Sequence, residues 1–414
     1  MAAARSEGIW TGHHWRVLLV VAASLSMSLA ARPSASRNVV FGLNPALQRS
    51  IKLVVDLDVG AVNRGASATI GIGGKGQDVF IAARSMEAEL PLVAQLVGTG
   101  AEGDTLMSLL TELAGPAEAA TLHRLTVRSS ARLRNAITLL SPKSQEATEV
   151  VEPSGPVTEQ EIEQLKAQLR ETPPASGVAV MGSMPPGCPP SLYSDLLPLC
   201  TDEQSTVLLD IVSSVVPTMA ALQGRVGRVV LKVNIKELCA VAGRPVPPGS
   251  DSAGSRSGEL LAAATALASQ LASACSSSSS SSSSSGSGSG SGTSATNAVT
   301  SSFICATDGA FSAHLLQLTS RGTVGKHVTY TLPPLPRPLV NPIGAGDAVA
   351  SGTIMAATGK VRVPGMEEVD IIQAFRWGLA CGAASCLGPT NSAFTRRDAE
   401  EIFAVIGVDS ADSL

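Results

Sequence analysis

The sequence predicts an α/β fold: a mostly parallel sheet covered by helices on both faces, with a small second sheet beside it. Three observations predict it. Short, almost wholly aliphatic runs recur along the chain, as strands buried on both faces require. Segments of helical period alternate with them, and strand–helix–strand repetition builds parallel sheets. The third observation is a change of rhythm at 51–70 and 136–151, where short β-like pieces carry more turn residues. Those two stretches pair into a small sheet, a lid. The composition supplies the core: 414 residues, 44% hydrophobic and 15% charged. That is enough for one large α/β domain with an appendage, or for two ordinary domains.

In chain order, 1–37 reads as a leader. Arg5, Arg16, Arg32 and Arg37 face one acid, Glu7, among many Ala and Ser residues. Its apolar run, 17–31, is shorter than the ~20 residues that span a bilayer, so no stable membrane insertion is expected. An organelle transit peptide is the favoured reading, plastid ahead of mitochondrion. A secretory signal, with Ser28-Leu29-Ala30 resembling a cleavage site, and a cytoplasmic location are the alternatives. The seven cysteines are scattered and form no C-x-x-C pair, which suits a reducing interior.

Strands are predicted at 39–43, 92–97, 178–181, 207–210, 229–233 and 303–306. Helices are predicted at 79–86, 158–169, 191–197, 259–272, 345–357 and 369–386. Between the last strand and the helix before it lies 273–302, an unbroken serine run followed by Gly-Ser repeats. Such a stretch buries too little apolar surface to offset its ordering entropy, so it is expected as a disordered insertion within the domain. Residues 406–414 are expected as a tail. Aromatics at 3% and a net charge of −4 without a basic stripe exclude a nucleic-acid platform.

The sharpest motif is Asn341-Pro342-Ile343-Gly344-Ala345-Gly346-Asp347 ahead of a helix. Glycines at a helix N-terminus bring backbone N–H groups close to a phosphate, and the helix dipole favours negative charge there. Asp347 can accept a proton from a hydroxyl, as phosphoryl transfer needs. The bland reading makes it a cap. A second motif, Gly73-Gly74-Lys75-Gly76-Gln77-Asp78, also satisfies G-x-G-x-x-G with Gly71, but 90–101 holds no acid for a dinucleotide ribose. No G-x-x-x-x-G-K-[ST] occurs, which excludes a P-loop. Third is Lys232-Val233-Asn234-Ile235-Lys236-Glu237. Asn234 and Glu237 either influence a hydrated Mg²⁺ or close a capping box. Gly182-Ser183-Met184-Pro185-Pro186-Gly187 is a rigid turn.

Taken together and in this order, the motifs resemble the PfkB (ribokinase-like) carbohydrate kinases, most of all the 1-phosphofructokinase and tagatose-6-phosphate kinase branch. Asn44-Pro45-Ala46-Leu47 looks like that branch's opening motif, and Gly73–Gly76 like the first family signature. Thr148-Glu149, Glu152-Pro153 and Gly155-Pro156 match the lid and its exit. Gly182–Gly187, Asn234 to Glu237, Thr307–Ala310 and Gly344–Asp347 match later motifs. The resemblance covers 38–405, apart from the serine insertion. It implies a ribokinase-like, Rossmann-like sheet with a β lid at 51–70 and 131–152. It further implies ATP and Mg²⁺, in some relatives a monovalent cation, a sugar or sugar-phosphate acceptor, and a homodimer through the lid.

Residue by residue, the resemblance implies Asp347 as catalytic base and Gly344, Ala345 and Gly346 as an anion hole. Lys232, Asn234, Thr307 and Gly309 lie on the nucleotide side, with Asn234 and Glu237 acting on Mg²⁺ through water. Asn44, Gln48, Gly74, Lys75, Asp78, Asn135 and Arg134 (or Arg132) lie on the sugar side. Three departures from the pattern stand out: Gln48 stands where the family carries Asp, Asp78 where it carries Asn, and the lid arginine is shifted relative to Asn135. All are on the acceptor side, so an altered or weakened acceptor preference is expected. The alternative is a catalytically weak or inactive binding protein of the same fold.

Overall fold

The computed structural model describes residues 36–144, 147–245, 253–280, 300–310 and 312–411. Most of the predicted leader and residues 281–299 of the serine insertion lie outside them. From the amino end come β1 (Val39–Phe41), β2 (Ala46–Leu53), β3 (Gly65–Gly73) and α1 (Lys75–Ser85). Then follow β4 (Leu92–Thr99), α2 (Ala101–Ala114), α3 (Ala119–His123), β5 (Thr126–Arg132), β6 (Arg134–Leu140) and β7 (Ala147–Val151). The middle of the chain forms α4 (Glu159–Arg170), β8 (Gly177–Met181), α5 (Leu192–Leu196), β9 (Thr206–Asp210), α6 (Val215–Leu222) and β10 (Arg228–Asn234). Next are α7 (Ile235–Val241), α8 (Ala253–Ser280), β11 (Ser301–Thr307), β12 (Ser312–Leu318) and β13 (Val324–Thr331). The carboxyl part adds α9 (Ala345–Ala357), α10 (Ile371–Ser385), α11 (Arg396–Val405) and β14 (Gly407–Ala411).

Ten strands form one sheet in the order β14-β13-β12-β11-β10-β9-β8-β1-β4-β5. From β11 to β5 every pairing is parallel, and β12, β13 and β14 extend the β11 edge as antiparallel strands. Side chains alternate between two core layers, as the period of two dictates. On β1, Val40 joins the layer under α1, α9, α10 and α11, while Val39 and Phe41 join the layer under α4, α5, α6 and α8. All three are fully buried, which is why the run carries no polar residue. Each such side chain contributes ~1.5–3 kcal/mol on burial. This double coverage leaves the carboxyl ends of β1, β8, β9, β10 and β11 as the place for a ligand.

A second, four-stranded sheet has the order β3-β2-β6-β7. It branches from the chain just after β1, so its root lies at the carboxyl edge of the main sheet. Strands β2 and β6 pair in parallel, with β3 and β7 antiparallel outside them.

The structure corrects three boundaries. Arg37 belongs to the folded body: its guanidinium donates to the Glu118 carboxylate at 2.7 and 3.1 Å and to the Leu90 carbonyl. Helix α8 runs on through Ser280, where a loop was expected from Ser273. Extending a helix adds one hydrogen bond per residue without a new nucleus, and the Ser273 and Ser276 hydroxyls bond back to the Ser269 and Ala272 carbonyls. The expected tail from 406 instead contains β14, which pairs with β13 from Gly407↔Thr331 to Ala411↔His327. Strands β12 and β13 also went unpredicted, because His314, Gln317, Lys326, His327 and Thr329 interrupt their apolar pattern. All seven cysteines are free thiols. No helix among the described residues is long and apolar enough to cross a membrane.

Candidate active site

Four charged side chains meet at the carboxyl edge. Asp210 is the last residue of β9, Lys232 lies near the end of β10, Lys75 opens α1 and Asp347 sits in the first turn of α9. Asp210 is 2% exposed and receives both ammonium groups: Lys75 Nζ at 2.6 Å on Oδ1 and Lys232 Nζ at 2.8 Å on Oδ2. Burial alone would raise the Asp210 pKa, but Lys232 and Lys75 outweigh it and hold the group ionised. Burial would likewise lower the Lys75 pKa; Asp210 and Asp347 more than reverse this.

Asp347 is buried and, among the described residues, has no ammonium partner of its own at bonding distance, since both lysines are held on Asp210. Burial, followed by repulsion from Asp210, raises its pKa to about 7 against the pull of Lys75 and Lys232. A carboxyl at that value is suited to proton abstraction near neutral pH, and such shifts mark functional sites.

The glycines before it form an open cradle. Gly344 is left-handed, φ 81°, and its carbonyl accepts from Ser392 Oγ at 2.8 Å. Asn341 fixes the loop, accepting from Ile343 N at 3.0 Å and donating to Asn391 Oδ1 at 3.0 Å. At Gly346 a Cβ would stand 2.8 Å from Lys232 Nζ. Glycine there leaves the space between the helix N-terminus and the lysine open to an anion, so the residues fit a transferred phosphoryl group.

The expected sugar-side residues line the root of the lid, and most are engaged by protein. Asn44 accepts from Ser154 Oγ at 2.7 Å and donates to Ser183 Oγ at 3.2 Å. Arg134 donates to the Asn44 carbonyl at 2.8 Å and more weakly to that of Pro45. Gln48 donates to Thr138 Oγ1 at 2.6 Å. Both the backbone and side-chain nitrogens of Asn135 donate to Glu152 Oε2 at 2.9 Å, leaving Asn135 Oδ1 buried without a partner. Arg132 points to Glu102 and Glu152 instead. Lys75, Asn44, Arg134 and Ser183 line a cavity of about 130 Å³. Gly74, at φ 108°, makes the turn that presents Lys75 and Asp78.

On the nucleotide side, Asn234 and Glu237 close a reciprocal capping box on α7, with both bonds at 2.9 Å. The capping reading is therefore realised. Glu237 Oε1 takes no part in it, and a hydrated Mg²⁺, which keeps most of its waters, needs few protein oxygens. Among the described residues no cluster of three or more His, Cys, Asp or Glu side chains is placed to hold a metal. Thr307 ends β11 and Gly309, at φ 58°, turns the chain into β12.

Asp210 of the charged centre, and Glu149 that acts on it, were not singled out from the sequence as site residues. Asp210 was visible only as a strand end, although an acid closing a doubly buried strand at the carboxyl edge is a signal in itself. Glu149, on β7, raises both Asp347 and Asp78 electrostatically; nothing local in the sequence places it there, because only the pairing of the lid strands does.

No family model matches the chain, and no curated protein matches it. Solved structures do. Escherichia coli phosphofructokinase-2 in complex with potassium is 18% identical, with a TM-score of 0.62 over 89% of this chain and 98% of that one. The same enzyme in complex with fructose-6-phosphate gives 18% and 0.60 over the same shares. Ribokinase from Thermotoga maritima is 13% identical, TM-score 0.56, over 89% and 99%. The chain has the ribokinase-like fold, and the resemblance read in its motifs points to the same group of proteins.

Proposed function

We propose that the protein is an ATP-dependent kinase that phosphorylates a hydroxyl of a sugar or sugar phosphate. The observation that carries this reading is Asp347, a buried carboxyl raised to about 7, beside a glycine cradle and two lysines. Asp347 takes the proton of the acceptor hydroxyl as its oxygen attacks the terminal phosphorus of ATP. The bond to the ADP leaving oxygen breaks, and Lys75, Lys232 and the Gly344–Gly346 amides offset the charge on the moving phosphoryl group. Mg²⁺ bound with the nucleotide, near Glu237, would supply further charge neutralisation. The potassium in the E. coli phosphofructokinase-2 structure supports testing for a monovalent cation as well.

The pH dependence follows in sign from Asp347. The group serves as base only when ionised, so kcat/KM rises as pH increases through about 7. Measuring ADP release against pH checks this; a flat profile between pH 6 and 8 would remove Asp347 as the base.

A second reading has one observation behind it. Gln48 and Asn135 spend their amide donors on Thr138 and Glu152, as they would in a protein that binds nucleotide without phosphorylating a sugar. Binding of ATP with no acceptor-dependent turnover would favour it.

The lid also bears on assembly. Six residues of β3 are exposed in sequence, and Ile70, Val150 and Val151 are about half exposed on the edge strands β3 and β7. An apolar, unpaired strand edge invites a second chain, which supports a homodimer through the lid. Sedimentation of the full chain is expected to give a dimer, and Ile70→Lys to shift it toward monomer. A wild-type monomer at micromolar concentration would contradict this.

A further inference from the structure

Asp78 occupies the position at which the resembled kinases carry asparagine. It sits in the first turn of α1, 5% exposed, and its Oδ1 is buried with no hydrogen-bond partner. Among the described residues no cation pairs with it. Lys75 on its own helix and Lys232 from β10 are bound to Asp210 of β9, and Arg134 of β6 is bound to the carbonyls of Asn44 and Pro45. The charged groups that act on it are acids: Asp347 from α9 and Glu149 from β7. Burial first, then these two, push its pKa well above the carboxylate range. An ionised carboxyl here would be a buried charge without a counter-ion, facing two others, which is far costlier than keeping a proton.

We propose that Asp78 works as a neutral carboxylic acid that donates a hydrogen bond to a hydroxyl of the acceptor, filling the role of an asparagine amide. A protonated carboxyl has one O–H donor and a carbonyl acceptor, close to the inventory of an amide. The substitution then leaves the acceptor side polar and uncharged. It also leaves Asp347 as the one member of the adjacent carboxyl pair that ionises near neutrality. The ligand class is a polyol whose recognised group is an uncharged hydroxyl. This inference rests on the kinase reading for its ligand, but the state of the side chain is measurable without any activity.

The test has two arms on the full chain. In the first, protein labelled with ¹³C at aspartate Cγ is titrated, with the Asp78 resonance assigned from its absence in Asp78→Asn. The resonance is expected to remain that of the protonated acid at pH values where ordinary aspartates are fully ionised; an ionised signal there would overturn the proposal. In the second, acceptor KM is compared among wild type, Asp78→Asn and Asp78→Ala, with thermal melts confirming folded protein. Asp78→Asn is expected to keep a KM roughly tenfold below that of Asp78→Ala. It is also expected to lose the alkaline fall in activity that wild type shows once Asp78 ionises. Equal KM values for Asn and Ala would overturn the proposal. If no acceptor is phosphorylated, the kinase reading fails, while the resonance still decides whether Asp78 holds its proton.

Discussion

Replacing Asp347 with asparagine is expected to lower kcat by about 10²–10⁴-fold, the usual contribution of a positioned general base. Nucleotide affinity should change little, because the cradle of Gly344 and Gly346 and the ammonium of Lys232 remain. Stability provides an independent check. Asp347 has a folded pKa above its ordinary value, so the folded state binds protons more readily than the unfolded chain. Its ionisation therefore destabilises the fold progressively as pH rises from the ordinary carboxylate range, and the penalty is complete above about 7. An asparagine removes that penalty. The variant should melt no lower than wild type at pH 8 while being nearly inactive, a combination that loss of folding cannot mimic. Equal kcat in the two proteins would contradict the assignment.

Asp210→Asn should have the largest effect on stability. It leaves Lys232, 6% exposed in its side chain, without its counter-ion. Breaking a buried pair from one side costs about 3–5 kcal/mol. Lys75 is 41% exposed in its side chain and can turn toward water, so the lower end of that range is expected from denaturant unfolding. The same change removes a negative neighbour from Asp347 and frees two positive ones. The acid limb of the pH–rate profile should then move to lower pH, a shift that a purely structural role would not produce. Unchanged stability together with an unmoved limb would contradict the arrangement of charges described here.

The main sheet was legible because its strands are buried on both faces. The run 178–181 carries no polar residue and 207–210 none before its last position, and helices such as α4 carry a capping box, with Thr158 accepting from Glu161 N. Strands β12 and β13 were not legible, because a buried His314 bonded to His327 at 3.1 Å looks polar in the sequence. At the site, the glycine cradle and Asp347 stood out because helix, turn and acid are contiguous. The Lys75–Asp210–Lys232 cluster did not, since its members are brought together from α1, β9 and β10 by the parallel order of the strands. The departures at Gln48 and Asp78 were visible, but their consequences were not. Gln48 turns into the lid sheet toward Thr138, and the burial of Asp78 decides its charge.

The most direct test of the account is acceptor-dependent ADP release by the full chain with ATP and Mg²⁺. The acceptors would be fructose 1-phosphate, fructose 6-phosphate, tagatose 6-phosphate, ribose and adenosine. Release that requires one of the sugars or sugar phosphates is the predicted result. Bound ATP with no release above background for any of them would contradict the kinase reading and leave a nucleotide-binding protein of the same fold.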